Sequence, residues 1–366
     1  MKKIILCALA LMTGLLVSAE TVVKDGVTYV LQFYNHTASV SRVSTRDLKG
    51  DRLVIPATIS FEDEEYTVVE IDSKGLMFGR DTTCKSVILP NTIKEIGAGA
   101  FTYSTNLKEV VLQDGLLIIH EGAFSHCESL EAIVIPESVK EIHESAFVAC
   151  RNLKTINIPK EITFIGPKAF AECPIKELSF PEGMTKIHPF AFSMMRNLRQ
   201  VNLPSTLTDI EGSAFAYCVR LSHVKIPGSV TSIGYRAFAG CSCLDTIVIP
   251  EGVTSINDQT FIDCAGVKQI ILPNTLLSIG SEAFAGCENL ESLTFPSSLQ
   301  KLEFHCLGGC QKLTKITNYA TSPIQVSFPL YNNDQLPYIT LEVPKGCTKA
   351  YKADGWWGKM NIIEMK

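Results

Sequence analysis

The chain has 366 residues, of which 46% are hydrophobic, 19% charged and 8% aromatic. That balance excludes a disordered or collagen-like polymer and leaves enough apolar surface for a large core. With 33 Lys and Arg against 38 Asp and Glu, the chain is a poor partner for nucleic acid or an anionic membrane surface.

In chain order, the first nineteen residues carry Lys2-Lys3, an apolar stretch from Ile4 to Val17 and the small-residue end Val17-Ser18-Ala19. This is the layout of a secretory signal peptide, so residues 1–19 are expected to be removed and the chain exported, with no membrane span left. Removing Lys2 and Lys3 from the 33 basic residues leaves 31 against 38 acidic ones, a net charge of −7. Cys7 follows Leu6 as in a lipoprotein signal, but cleavage before it would leave only Ile4-Ile5-Leu6 as the apolar core, where roughly 7–15 residues are needed. Residues 20–50 follow. Two alternating stretches, Val27 to Phe33 and Ala38 to Val43, flank Tyr34-Asn35-His36-Thr37 and predict a β-hairpin cap.

From residue 51 to 316 a single pattern governs the chain. An apolar residue recurs at Leu76, Phe101, Phe124, Phe147, Phe170, Phe192, Phe215, Phe238, Phe261, Phe284 and Leu307, spaced by 23 residues except for one interval of 25 and one of 22. In the unit Leu130 to Cys150, Leu130, Ile133 and Ile135 alternate as a short strand, Pro136 ends its pairing, and Val139, Ile142, Ala146, Phe147 and Cys150 supply further apolar positions. Five residues before each Phe lies an Ile, such as Ile119 or Ile142, which predicts a second short strand. The residue after it (Gly97, His120, His143, Gly166, His188, Glu211, Gly234, Asn257 or Gly280, with Asp72 in the first unit) is of the types enriched at positive φ, so a tight left-handed turn is expected there. A unit of this kind exposes its apolar side until neighbours stack on it. The predicted fold is therefore a leucine-rich repeat solenoid, a right-handed coil of about eleven repeats with a parallel β-sheet on one face. Residues 317–366 lose the period and hold Phe328, Tyr331, Tyr338, Tyr351, Trp356 and Trp357, a C-terminal cap.

Eight cysteines, Cys127, Cys150, Cys173, Cys218, Cys241, Cys264, Cys287 and Cys310, stand three residues after the Phe or Leu307 column. Export would favour disulfides. However, equivalent residues of stacked coils point in parallel, holding their Cβ atoms near the strand spacing of about 4.8 Å rather than the roughly 3.8 Å of a bridge. Buried thiols are the preferred reading and a disulfide ladder the competing one; Cys84, Cys243, Cys306 and Cys347 lie off the column. His120 and His143 would stack on adjoining coils within reach of a metal, but as turn-column residues they are expected to be structural. No Gly-x-Ser-x-Gly, phosphate loop or His-Glu-x-x-His occurs, so neither enzymatic activity nor a cofactor or metal is expected. Leu89-Pro90-Asn91-Thr92 and Leu272-Pro273-Asn274-Thr275 imitate part of a sortase signal and are assigned to turns.

The outward side of the long strand remains as a binding face. One of its columns has an aliphatic strip, Ile88, Val111 and Val134, a shorter one, Val248 and Ile271, and a polar middle from Asn157 to Lys225; His223 stands in the neighbouring column. Ile88, Val111, Val134, Val248, Ile271, His223 and Lys225 are the candidate protein-binding residues, although β-branched residues also favour strands for their own sake.

Pro after the strand, Ile-Gly, Ala-Phe and Cys, as in Val224 to Cys241, together resemble the BspA-type, or Treponema pallidum-type, leucine-rich repeats of bacterial surface and secreted proteins. The resemblance spans Leu53 to Ile316. Leu341-x-Val343-Pro344, Ala350-Tyr351 and Trp356 through Glu364 resemble the closing segment common in such proteins from Bacteroidetes. It implies a secreted or cell-surface, non-enzymatic adhesion protein whose partner is an extracellular protein, such as a host matrix or cell-surface protein, and it transfers no binding residue. The alternative is a carbohydrate-binding or polysaccharide-associated protein in which Tyr338, Tyr351, Trp356 and Trp357 stack on sugars.

Overall fold

The computed structural model describes residues 20–44, 50–72, 83–327 and 333–366; residues 1–19, expected to be a signal peptide, and Leu76, Phe328 and Tyr331 lie outside them. The chain forms two compact units, 1–161 and 162–366, each built from the same β-solenoid coil.

In the first unit β1 (Glu20–Lys24), β2 (Val27–Gln32) and β3 (Thr37–Val43) form an antiparallel meander. It follows from alternation: β2 buries Val27, Tyr29 and Leu31 on one side. β3 then pairs in parallel with the strand Glu64–Ile71, and the sheet continues through Glu95–Ile96, Ile118–Ile119 and Glu141–Ile142. The meander thus covers the edge of the sheet formed by the Ile column, where an unpaired strand would otherwise be exposed. A second parallel sheet carries the long strands, in the order β4 (Arg52–Val54), Ser86–Ile88, Glu109–Val111, Ala132–Ile133 and Thr155–Ile156.

The second unit repeats both sheets. Its long strands pair in parallel within Glu177–Ser179, Gln200–Asn202 and His223–Val224, and again within Thr246–Val248 and Gln269–Ile271. Periodicity ends at residue 316, but the sheet does not. Lys315–Asn318 pairs in register with Thr340–Val343, and that strand with Asn361–Glu364. In Thr340–Val343 only the alternation survives, with Leu341 and Val343 buried, and alternation is all that a strand needs to join the sheet.

The Phe column forms a buried ladder in both units. Phe101, Phe124 and Phe147 stack at 4.9 and 5.1 Å between ring centroids, and Phe170 to Phe284 at 5.5–5.8 Å, all without exposure to solvent. The coil repeat sets this separation, and the rings accommodate it by offset stacking.

One turn assignment is corrected. None of Asp72, Gly97, His120, His143, Gly166, His188, Glu211, Gly234, Asn257 and Gly280 has positive φ. The left-handed positions fall instead two residues before and two after the Phe, as at Gly99 and Tyr103 or Phe190 and Met194. This geometry aims alternate N–H groups at the next coil: Gly99, Phe101 and Tyr103 donate to Glu121, Ala123 and Ser125 carbonyls at 2.7–2.8 Å, while Ala100 and Thr102 bond back within the turn. The turn is therefore a third hydrogen-bonded side of the coil. Glycine after the Ile serves close approach rather than φ. A Cβ on Gly234 would lie 2.7 Å from the Gly212 nitrogen, and one on Gly280 2.7 Å from the Asp258 nitrogen.

The cysteine column has a role that its composition does not announce. Seven of its eight thiols are placed to donate to the carbonyl of the Phe one coil back: Cys127 to Phe101 and Cys150 to Phe124, both at 3.1 Å, and Cys218, Cys241, Cys264, Cys287 and Cys310 to the corresponding carbonyls at 3.2–3.7 Å. Cys127, Cys150, Cys218, Cys241, Cys264 and Cys287 are free thiols, and burial pushes those of Cys218 and Cys264 up to about 12. With almost no thiolate and no access they should not react. Maleimide added to the native protein is accordingly expected to label exposed Cys243 first and to reach the column only after denaturation. Mass spectrometry of the denatured, unreduced and alkylated chain should find the column thiols alkylated; a bridge between Cys241 and Cys264 would contradict this arrangement.

Candidate binding face

In the first unit the long-strand sheet presents an outward row in which Val54 stands beside Ile88 and Ile88 beside Val111; Val134 follows at the equivalent position of the next coil. Val134 is 74% and Val54 58% exposed, whereas Ile88 and Val111 are half-buried between their neighbours. The N-terminal meander joins the other sheet and adds no strand to this one. Val54 was not among the candidates, but Val54-Ile55-Pro56 has the same spacing to proline as Ile88-Leu89-Pro90 and could have been found by it.

In the second unit Val248 and Ile271 are register partners and both exposed. His223 is exposed beside Gln200, with its Nδ1 4.0 Å from the Asp245 carboxylate, and Lys225 stands in solvent past the end of its strand. The polar stretch is internally bonded: Asn202 donates to the Ser179 hydroxyl at 2.9 Å and accepts from Gln200 at 3.1 Å. Further along the same row the Lys315 ammonium, 2.9 Å away, and the Thr317 hydroxyl hold the Glu342 carboxyl below the usual carboxylate range. The structure therefore makes two local aliphatic patches with a polar segment of the second unit beside one of them.

The other residues singled out in the sequence are the turn histidines and the closing aromatics. His120 and His143 do stack, edge to face at 5.0 Å, but each meets a carboxylate, Glu95 at 2.9 Å and Glu141 at 2.7 Å. Among the described residues no group of three or more His, Cys, Asp or Glu is placed to hold a metal ion. Of the four rings offered to a sugar, Tyr351, Trp356 and Trp357 are buried and Tyr338 is open to solvent, as is Tyr319 at the start of the closing segment. The Tyr351 hydroxyl lies 2.9 and 2.8 Å from the Ala320 and Ser322 carbonyls and accepts from buried Asn318, and the Trp357 indole donates to Ile324 at 3.0 Å. These rings fill the end of the coil and present no face to a sugar.

The family model for the BspA type leucine rich repeat region matches residues 75–193, 163–276 and 254–350, in six copies. The chain belongs to the BspA-type leucine-rich repeat family. No curated protein matches this BspA-type chain. Among solved structures, a leucine-rich repeat protein from Bacteroides ovatus is 24% identical over 94% of this chain and 100% of its own, with a TM-score of 0.61. The pneumococcal vaccine antigen PcpA is 19% identical over 95% of this chain and 99% of its own, at 0.59. A leucine-rich cell surface protein from Faecalibacterium prausnitzii is 22% identical over 95% of each chain, at 0.51. These likenesses establish the BspA-type fold. No helix among the described residues is long and apolar enough to cross a membrane.

Proposed function

We propose that this BspA-type protein is an exported, non-enzymatic interaction protein acting at the cell surface or in the medium, and that it binds an extracellular protein through the outward face of its long strands. The observation that carries this reading is the outward row Val54, Ile88, Val111 and Val134 in the first unit, open to solvent at Val54 and Val134, with exposed Val248 and Ile271 forming a second patch. Apolar side chains aligned on an uncovered sheet are the usual mark of a protein contact, and solenoids bind through such extended surfaces. The signal-like residues 1–19 and the surface placement stated for the Faecalibacterium protein support export. The sugar-binding alternative loses three of its four rings to the interior.

A panel of extracellular matrix and cell-surface proteins, set against a glycan array, separates the two: binding is expected on the first and none on the second. Val54→Ser with Val134→Ser is the clean variant, because both side chains are exposed. Its stability should stay within about 0.5 kcal/mol of wild type, while affinity for the protein found falls by on the order of 1 kcal/mol or more per residue. Unchanged affinity would remove the strip from the contact. Val111→Ser is a poorer probe, since its half-buried side chain adds a stability cost.

A further inference from the structure

The turn side of the second unit carries large apolar side chains in solvent. Phe190, Met194, Tyr217 and Tyr235 are between 41% and 50% exposed. They occupy three successive coils: Phe190 and Met194 flank Phe192, Tyr217 follows Phe215, and Tyr235 precedes Phe238. Phe190, Met194 and Tyr217 have φ of 57°, 57° and 60°. In the same two columns other coils carry Gly99, Gly122, Gly240, Gly286 and Gly309, the residue for which this conformation has no steric cost. Most coils hold a side chain in this conformation, as at Tyr103, Lys168 and Arg236, so the backbone belongs to the coil; what sets this stretch apart is that its large apolar side chains lie together with over 40% of their surface in solvent. The Tyr217 ring is also set in place, since a Cβ on Gly240 would lie 2.7 Å from its Cδ1.

Two cations border the rings. Lys168 Nζ lies 5.9 Å from the Phe190 ring centroid and the Arg236 guanidinium 5.3 Å from that of Tyr235. Neither cation forms an ion pair among the described residues, and the Arg236 Nε–H donates to the Gln259 Oε1 at 2.5 Å, leaving its terminal N–H groups free. Nearby carboxylates already have partners: Glu211 has His188, Asp258 the Ser281 N–H, and Glu282 the Gln259 amide. Phe190 and Met194 have no group to hydrogen-bond a sugar, and the Tyr235 hydroxyl is already donated to Gln259. Exposed aromatics, Met and Arg together are the composition of the centre of a protein interface.

We propose that this turn face is a second docking surface, for a protein segment that presents an apolar side chain between carboxylates. The apolar group would pack against Phe190, Met194 and Tyr217, with the carboxylates meeting Lys168 and Arg236. The assignment is independent of the reading of the strand face. The test is selection of random dodecapeptides on phage against the whole protein, followed by titration of synthetic copies of those enriched. Enriched peptides should pair Asp or Glu with an apolar residue, bind at least tenfold more weakly to Lys168→Glu/Arg236→Glu and to Phe190→Gly/Tyr217→Gly, and be indifferent to Val54→Ser/Val134→Ser. The glycine variant should keep a cooperative melt, the loss of half-covered ring area being partly offset by relief of the positive φ. The proposal falls if the peptides lack acidic residues, if both variants bind them as wild type does, or if the glycine variant loses its cooperative melt, which would make the rings structural. It falls equally if polygalacturonate binds this face in place of any peptide.

Discussion

Replacing Phe192 by alanine is expected to destabilise the protein by about 3–5 kcal/mol in a denaturant melt. Its ring has no exposure and lies between Phe170 at 5.8 Å and Phe215 at 5.6 Å, with Phe180 edge-on at 5.0 Å. Truncation leaves a cavity walled on three sides by aromatic rings. The backbone cannot close it, because the Phe192 N–H is fixed to the Ala214 carbonyl at 3.0 Å and the adjoining coils share that ladder. In a solenoid each coil is stabilised only by its neighbours, so such a cavity weakens both interfaces of its coil. Besides a lower midpoint, a broader transition is expected as the two sides uncouple. A loss below about 1 kcal/mol would mean that Phe192 does not hold the inward position assigned to it.

The second large effect is expected at the C-terminal end, where Trp357→Ala should also cost about 3–5 kcal/mol. Trp357 is fully buried, packs edge to face on Trp356 at 4.8 Å, Tyr351 at 6.0 Å and Phe295 at 6.5 Å, and donates to the Ile324 carbonyl. Truncation removes packing area and strands that carbonyl, a penalty of roughly 1–3 kcal/mol where water cannot reach it. The loss should be felt locally. Hydrogen exchange should accelerate first in Thr340–Val343 and Asn361–Glu364, the strands that close the sheet, before it does near Phe192. Uniform loss of protection along the chain would show that the cap has no stability of its own to lose.

The two surfaces differ in how much of each the sequence discloses. The strand face is a period-two argument, so Ile88, Val111 and Val134 could be placed outward by counting, and Val54 by the same count carried one unit back. What counting could not give is the difference between half-buried Ile88 and Val111 and open Val134, which depends on the side chains of adjoining coils. The turn face had no such rule. Phe190, Met194 and Tyr217 look like three unrelated residues in the sequence. They are gathered only because the left-handed columns lie two residues either side of the Phe, and these columns were not legible where the glycines seemed to mark the turn.

The sequence by itself determined the coil, the two families of strands, the buried Phe ladder and the BspA-type relationship, because a period of 23 residues repeats each inward position until chance is excluded. The tertiary structure decided the rest. It shows that glycine after the Ile column makes room for a neighbouring backbone, that the cysteines donate to carbonyls of the coil behind them, and that the tryptophans close the end of the sheet instead of facing a ligand. These facts share a physical reason. Each depends on what lies one coil away, some 23 residues along the chain but within a hydrogen bond or a van der Waals contact in space, and residue type and spacing specify such a neighbour only after the stacking is known.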